Sequence, residues 1–161
     1  FAKEKTDYQG FVFFGLINVG GNPMVIEYNV RMGDPETEVV LPRIESDLLT
    51  WFELMHQKRL NEAEVKFYPE SATTVMVVSG GYPEGYEKGK EIVGLENVED
   101  CLVFHAGTKK ENGKLLTNGG RVLAFTTKGE SKKKALQKSY SAINKICFDG
   151  INYRKDIGFD V

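Results

Sequence analysis

Residues 24–38 read MVIEYNVRMGDPETE and place a carboxylate, an amide and a guanidinium at every second position: Glu27, Asn29 and Arg31. Successive side chains of a β-strand point to opposite faces. The spacing therefore predicts one polar row, with Met24, Ile26, Tyr28, Val30 and Met32 sharing the other face. A carboxylate and an amide oxygen side by side can serve a hard cation such as Mg²⁺, which takes one or two protein carboxylates and leaves the rest of its shell to water and substrate phosphates. Arg31, one step further, has the fork that grips phosphate through two parallel hydrogen bonds. Gly33 and Pro35 then fix a turn that holds Asp34 and Glu36 near the end of the row. Rigid carboxylates beside an arginine suit a substrate bearing both an amine and a phosphate. By spacing alone, E-x-N-x-R is equally a wet sheet face, and GDPE an acidic turn capped by Asp34.

The elements that must hold these residues follow from pattern. GFVFFGLINV (10–19) is rich in β-branched and aromatic residues, and GGNP separates it from the polar row, so the two runs predict an antiparallel hairpin. VVLPRI reads as a short extended run that Pro42 keeps out of a sheet interior. In ESDLLTWFELMHQKRL the residues Leu48, Phe52 and Met55, with Leu49, Trp51 and Leu54, predict a helix with a broad apolar face that packs on the hairpin. Ser46 or Asp47 would cap its start, and Lys58 and Arg59 suit its negative end. The composition changes after this helix, which predicts a break between residues 60 and 72.

Beyond the break the chain is strand-rich. SATTVMVVSGG, CLVFHAGT, KLLTN and GGRVLAFTTKG read as strands, with YPEGYEKGKE as a loop and KKENG as a turn. SKKKALQKSYSAINKICF aligns Ala135, Leu136, Ser139, Tyr140, Ile143, Ile146 and Cys147 on one helical stripe, with Ser131 as its cap. Strands pairing with near neighbours, one early helix and one closing helix give an α+β class.

Bulk properties narrow the chemistry further. A chain of 161 residues with 41% hydrophobic and 27% charged residues has the make-up of a soluble globular domain or a piece of one. The net charge of −2 argues against a nucleic-acid surface, and no apolar run approaches the roughly 20 residues of a membrane span. Cys101 and Cys147 follow no metal-ligand spacing and read as two reduced thiols of a cytoplasmic protein. His56 reads as a surface or cap residue and His105 as structural. Lys132, Lys133 and Lys134 oppose the helix dipole and read as a solvated run, and GGYPEGYEKGKE lacks the spacing of a phosphate loop. The sequence begins at Phe1 and runs almost at once into a strand, which sets the expectation of a chain that starts inside a larger protein.

VIEYNVRMGDPETEVVLPRIESDL resembles the closing segment of the ATP-grasp domain in the phosphoribosylamine–glycine ligase family. SGGYPEGYEKGKEI, GGRVLAFTTKGES and FDGINYRKDIG resemble that family's small C-terminal domain, in the same order. The acid–amide–arginine strand is common to many ATP-grasp enzymes; the GDPE turn, the GYP loop and the YRKDIG ending together are far more specific. The resemblance implies that residues 1–62 are the closing hairpin and helix of an ATP-grasp domain. It implies that 63–161 form a small antiparallel β-rich domain with a C-terminal helix. It makes Glu27 and Asn29 the ligands of Mg²⁺ or Mn²⁺, Arg31 a catalytic residue near the transferring phosphoryl group, and Asp34 and Glu36 part of the substrate pocket. Val30 and Met32 stand where smaller and aromatic residues are usual, an apolar exchange that touches no functional atom.

The implied reaction activates glycine with ATP and joins it to 5-phosphoribosylamine in purine synthesis, with no nucleic acid, membrane or obligate protein partner. The ATP-binding lid and upstream domains are not in this sequence, so the fragment is expected to be inactive alone. Another ATP-grasp carboxylase or synthetase, which would lack GDPETE followed by GYP, and a non-catalytic binding module remain as alternatives.

Overall fold

The structure, a computed structural model, describes residues 3–159. Its contacts divide the chain into two compact units. One takes the chain through Thr37 together with Ile44–Tyr68; the other takes Glu38–Arg43 and the chain from Pro69 onward.

In the first unit, β1 (Phe13–Val19) and β2 (Asn22–Asn29) form the expected antiparallel hairpin. Gly20 and Gly21 turn it with φ of 59° and 87°, values that glycine adopts without a Cβ penalty. Asn18 Oδ1 accepts from Gly21 N at 2.9 Å and closes the turn. The pairing is interrupted once: Gly15 faces Glu27 and Leu16 faces Val25, so Ile26 is the extra residue of a bulge. A bulge breaks the two-residue alternation. The strict face division expected for 24–32 therefore holds only in parts.

Two further expectations are corrected here. β2 ends at Asn29, where its partner β1 runs out of residues to pair, so Arg31 lies in a bend beyond the strand. The Tyr8 hydroxyl, 3.0 Å from Val30 O and 2.8 Å from Phe11 O, ties off this end. VVLPRI is helical rather than extended: α1 (Thr37–Val40) runs into a 3₁₀ turn, Leu41–Arg43. Thr37 donates to Gly33 O through both its N–H (3.0 Å) and its Oγ1 (2.6 Å), which starts the coil. Pro42 is tolerated there because a first-turn N–H has no helical partner to lose.

The next helix, α2 (Leu48–His56), is capped by Asp47, which accepts from Leu49 N at 2.9 Å and Thr50 Oγ1 at 3.1 Å. Ser46 instead accepts from Lys66 N. Trp51 anchors the following segment through Nε1, which donates to Glu64 O at 2.9 Å. The apolar face of α2 is not buried. Phe52 meets Phe11 edge-on at 6.1 Å, but Leu49 is 62% exposed. Among the described residues through Tyr68, only Gly33 is fully buried.

The second unit holds the core. β3 (Ser71–Ser79), β4 (Leu102–His105), β7 (Arg121–Gly129) and β8 (Ile151–Tyr153) make one antiparallel sheet in the order β4-β7-β3-β8. A separate hairpin of β5 (Thr108–Glu111) and β6 (Lys114–Thr117) turns at Asn112–Gly113, both left-handed. Along β3, Val75, Val77 and Ser79 are buried while Met76 and Val78 are half-buried. Val75 faces Phe125 and Val77 faces Leu123 across the sheet. These four meet Ala142, Ile143, Ile146 and Phe148 in the core.

Helix α3 (Lys132–Ile143) lies on β3 and β7 with Ala135, Ser139, Ala142 and Ile143 inward. Ser131 caps it as expected, accepting from Lys134 N. The helix stops at Ile143, short of the expected stripe, and Cys147 is exposed and bridged to Val93. Gly129 allows the close approach, since a Cβ there would stand 2.7 Å from Ala135 N. The α+β class stands.

Candidate functional site

The polar row survives where it matters for metal chemistry. Glu27 and Asn29 both lie past the bulge on the same stretch of β2, and Asn29 Nδ2 donates to Glu27 Oε1 at 3.0 Å. Glu27 is exposed and Asn29 half-buried. With the donor side of the amide engaged by Glu27, its carbonyl oxygen is the half suited to a cation. The donor set is one carboxylate and one amide oxygen, both hard ligands. Among the described residues no group of three or more His, Cys, Asp or Glu could hold a metal. This pair fits an ion that draws its remaining ligands from water and phosphate, and it does not fit a self-contained metal centre.

The other expected residues are positioned differently. Arg31 is exposed and donates from Nη1 to Met32 O at 3.0 Å, so the guanidinium is held by its own bend. Asp34 is exposed in the turn that follows. Glu36 folds back over Gly33: a Cβ on Gly33 would fall 2.0 Å from Glu36 Oε2. The Glu36 carboxylate thus occupies the space that a side chain on Gly33 would take. Glu27 and Asn29 are brought together; Arg31, Asp34 and Glu36 follow in the bend and turn beyond the strand.

The residues given lesser roles are accounted for structurally. His105 Nδ1 lies 3.0 Å from Thr108 Oγ1 on the strand surface, and His56 closes α2. Burial pushes the Cys101 thiol up to about 11, so it is protonated at neutral pH and poorly suited to nucleophilic work. Among the described residues no helix is long and apolar enough to cross a membrane.

Sequence reasoning gave no place to a cavity of about 470 Å³ in the second unit, lined by Met76, Tyr82, Arg121, Asn152, Tyr153 and Arg154. Its floor is legible only from the register, in which Arg121 and Asn152 flank Val78 across three strands. Tyr82 is seated against Gly120, where a Cβ would lie 2.1 Å from its ring. Arg154 forks onto Asp156 at 3.0 and 2.8 Å and holds that carboxyl below its usual range.

A hairpin carrying an acid–amide pair, followed along the chain by a capped helix on an antiparallel sheet, is a fold shared with a ligase of known structure. The crystal structure of the phosphoribosylamine–glycine ligase of Thermotoga maritima superposes with a TM-score of 0.82 at 39% identity, covering 96% of this chain and 38% of that one. Among curated relatives, the phosphoribosylamine–glycine ligase of Caldanaerobacter subterraneus is 42% identical over 155 residues, and that of Vibrio vulnificus 44% over 161. These alignments cover 96% and 98% of this chain but 37% and 38% of the relatives, so the chain spans little more than a third of their length. Residues 72–160 match the family described as phosphoribosylglycinamide synthetase, C domain. The chain belongs to that family.

Proposed function

We propose that this chain is the C-terminal part of an ATP-dependent phosphoribosylamine–glycine ligase of purine synthesis. Residues 1–62 would close its ATP-grasp domain, 63–161 would form its small C-terminal domain, and the protein would work in the cytoplasm. The observation that carries the reading is the Glu27–Asn29 pair, set in a chain that aligns almost end to end with ligases at 42–44% identity.

In this reading a glycine carboxylate oxygen attacks the γ-phosphorus of ATP, the bond to ADP breaks, and glycyl phosphate results. The amine of 5-phosphoribosylamine then attacks the acyl carbon, loses a proton, and expels inorganic phosphate to leave glycinamide ribonucleotide. Glu27 and Asn29 would hold Mg²⁺ or Mn²⁺, which supplies charge neutralisation on the phosphates when bound. Arg31 would leave Met32 O and place its fork on the transferring phosphoryl group, where a preorganised cation acts mainly on the transition state. Asp34 and Glu36, set in the turn, would border the substrate pocket and accept hydrogen bonds from the amine-bearing substrates. No side-chain nucleophile enters, which agrees with a protonated Cys101.

The full-length polypeptide carrying this sequence tests the reading. Phosphate release from ATP should require glycine and 5-phosphoribosylamine together. ATP turnover that ignores glycine and depends on bicarbonate instead would replace this reading with a carboxylase of the same class.

A further inference from the structure

Gly15 of β1 pairs directly with Glu27 of β2, at the last regular step before the bulge. Its backbone gives no reason for a glycine: unlike Gly20 and Gly21, it does not have positive φ. A glycine inside a strand weakens it and often marks a close approach by another group. Here that group is Glu27. A Cβ on residue 15 would stand 2.9 Å from Glu27 Cγ, 3.5 Å from Glu27 O and 3.6 Å from Glu27 N. The two backbone distances are ordinary contacts, and only the side-chain one is too short. Cγ is the middle of the glutamate side chain, so moving it moves the carboxylate that Asn29 holds at 3.0 Å.

We infer that Gly15 is a positioning residue for Glu27: its missing side chain is the space in which the glutamate lies across β1 to reach Asn29. The carboxylate is thereby met by the Asn29 amide on its own strand, while Glu27 Cγ lies over the bare backbone of Gly15. The inference rests on the metal reading given above for its functional consequence, but its geometric content stands independently.

The test compares Gly15→Ala with Leu16→Ala, an exposed neighbour on the same strand that pairs with Val25 rather than Glu27. In the 161-residue chain, the side-chain amide resonances of Asn29 report its bond to Glu27. They should move in Gly15→Ala and stay in Leu16→Ala. In the full-length ligase with ADP bound, Mn²⁺ affinity read from the free-ion electron paramagnetic signal should fall about 10-fold in Gly15→Ala, the scale of lost support for a metal ligand. Melting temperature should hold, because Gly15 does not have positive φ and the Glu27 side chain that must shift is exposed.

Unmoved Asn29 resonances in Gly15→Ala would overturn the positioning role. Unchanged Mn²⁺ affinity in Gly15→Ala, with Glu27→Gln impaired, would overturn its functional consequence alone. Unchanged affinity in Glu27→Gln itself would instead sink the metal reading, leaving the resonances to judge Gly15. Should Gly15→Ala fold poorly, Gly15→Ala/Glu27→Ala removes the short contact and should fold like Glu27→Ala; a double variant as unstable as Gly15→Ala would sink the inference.

Discussion

The Ser139 hydroxyl of α3 lies 2.9 Å from Thr127 Oγ1 of β7 and 3.3 Å from Thr73 Oγ1 of β3, with Ser139 wholly buried. Thr127 Oγ1 also donates to Ala135 O at 2.5 Å. Three hydroxyls and one helical carbonyl thus join the helix to both central strands inside an otherwise apolar layer. Buried polar groups of this kind cost free energy when one partner is removed.

Ser139→Ala should therefore destabilise the second unit by about 1–3 kcal/mol, because Thr73 loses its partner while Thr127 keeps Ala135. Urea denaturation of the chain, followed by far-ultraviolet circular dichroism, measures it. No change in midpoint would mean that water replaces the serine without penalty.

The asymmetry of burial between the units gives a sharper contrast. Phe125 is wholly buried, whereas Phe14 is 54% exposed and Ile26 66%. Phe125→Ala should cost about 3–5 kcal/mol, and Ile26→Ala should fall within about 0.5 kcal/mol. Equal losses at both sites would show that the hairpin is covered in solution.

Glu27 and Asn29 should act as a unit in catalysis by the full-length ligase. Glu27→Gln and Asn29→Ala are each expected to lower turnover by about 10² to 10³ with the fold intact. The double variant should lose less than the product of the two, since residues that share a hydrogen bond couple. Full activity of either single variant at saturating Mg²⁺ would remove the role given to it.

Cys101 gives a pH dependence. Its thiol is raised from 9.0 to about 11 by burial, a smaller contribution from the Thr126 backbone opposing the shift. The folded state therefore keeps its proton where the unfolded chain has lost it. This contribution to stability is complete below about pH 8.5–9 and is lost as pH rises toward 11. Alkylation at pH 8 should modify the exposed Cys147 while Cys101 stays intact; Cys101 labelling first would contradict the burial.

The residues that were legible in the sequence are those whose signal is local. Gly20–Gly21 and Asn112–Gly113 announce their hairpins by backbone freedom, Asp47 and Ser131 cap their helices, and the 3.6-residue spacing of Ala135, Ser139 and Ile143 marks the inward face of α3. What was not legible depends on partners. The end of β2 at Asn29 is set by where β1 stops, and the bulge at Ile26 by a register that no single strand encodes. The coil at 37–43 begins with a bond from Thr37 to Gly33, which a propensity reading of VVLPRI does not contain. At the candidate site, the two-residue spacing of Glu27 and Asn29 sufficed to expect their meeting, while the need for Gly15 opposite Glu27 required the pairing itself.

The last prediction concerns nucleotide binding by the 161-residue chain. A metal held by Glu27 and Asn29 alone has two protein ligands, and Mg²⁺ completes its shell with water and phosphate rather than gaining affinity from so few contacts. The hairpin that carries the pair exposes apolar residues on both sides, Phe14 and Leu16 at 54% on one and Ile17 at 50% on the other, so it forms no enclosed pocket for a base or a triphosphate. Adenine would gain little buried surface, and Arg31 would have to give up Met32 O to reach a phosphate. Calorimetry of the chain with Mg·ATP should accordingly show no binding near the micromolar range, about −8 kcal/mol. Weak heats that vanish with added salt fit a phosphate–cation encounter on an open surface. A saturable micromolar isotherm, lost in Glu27→Gln, would place a complete nucleotide site within these residues and overturn the reading of the chain as one wall of a larger cleft.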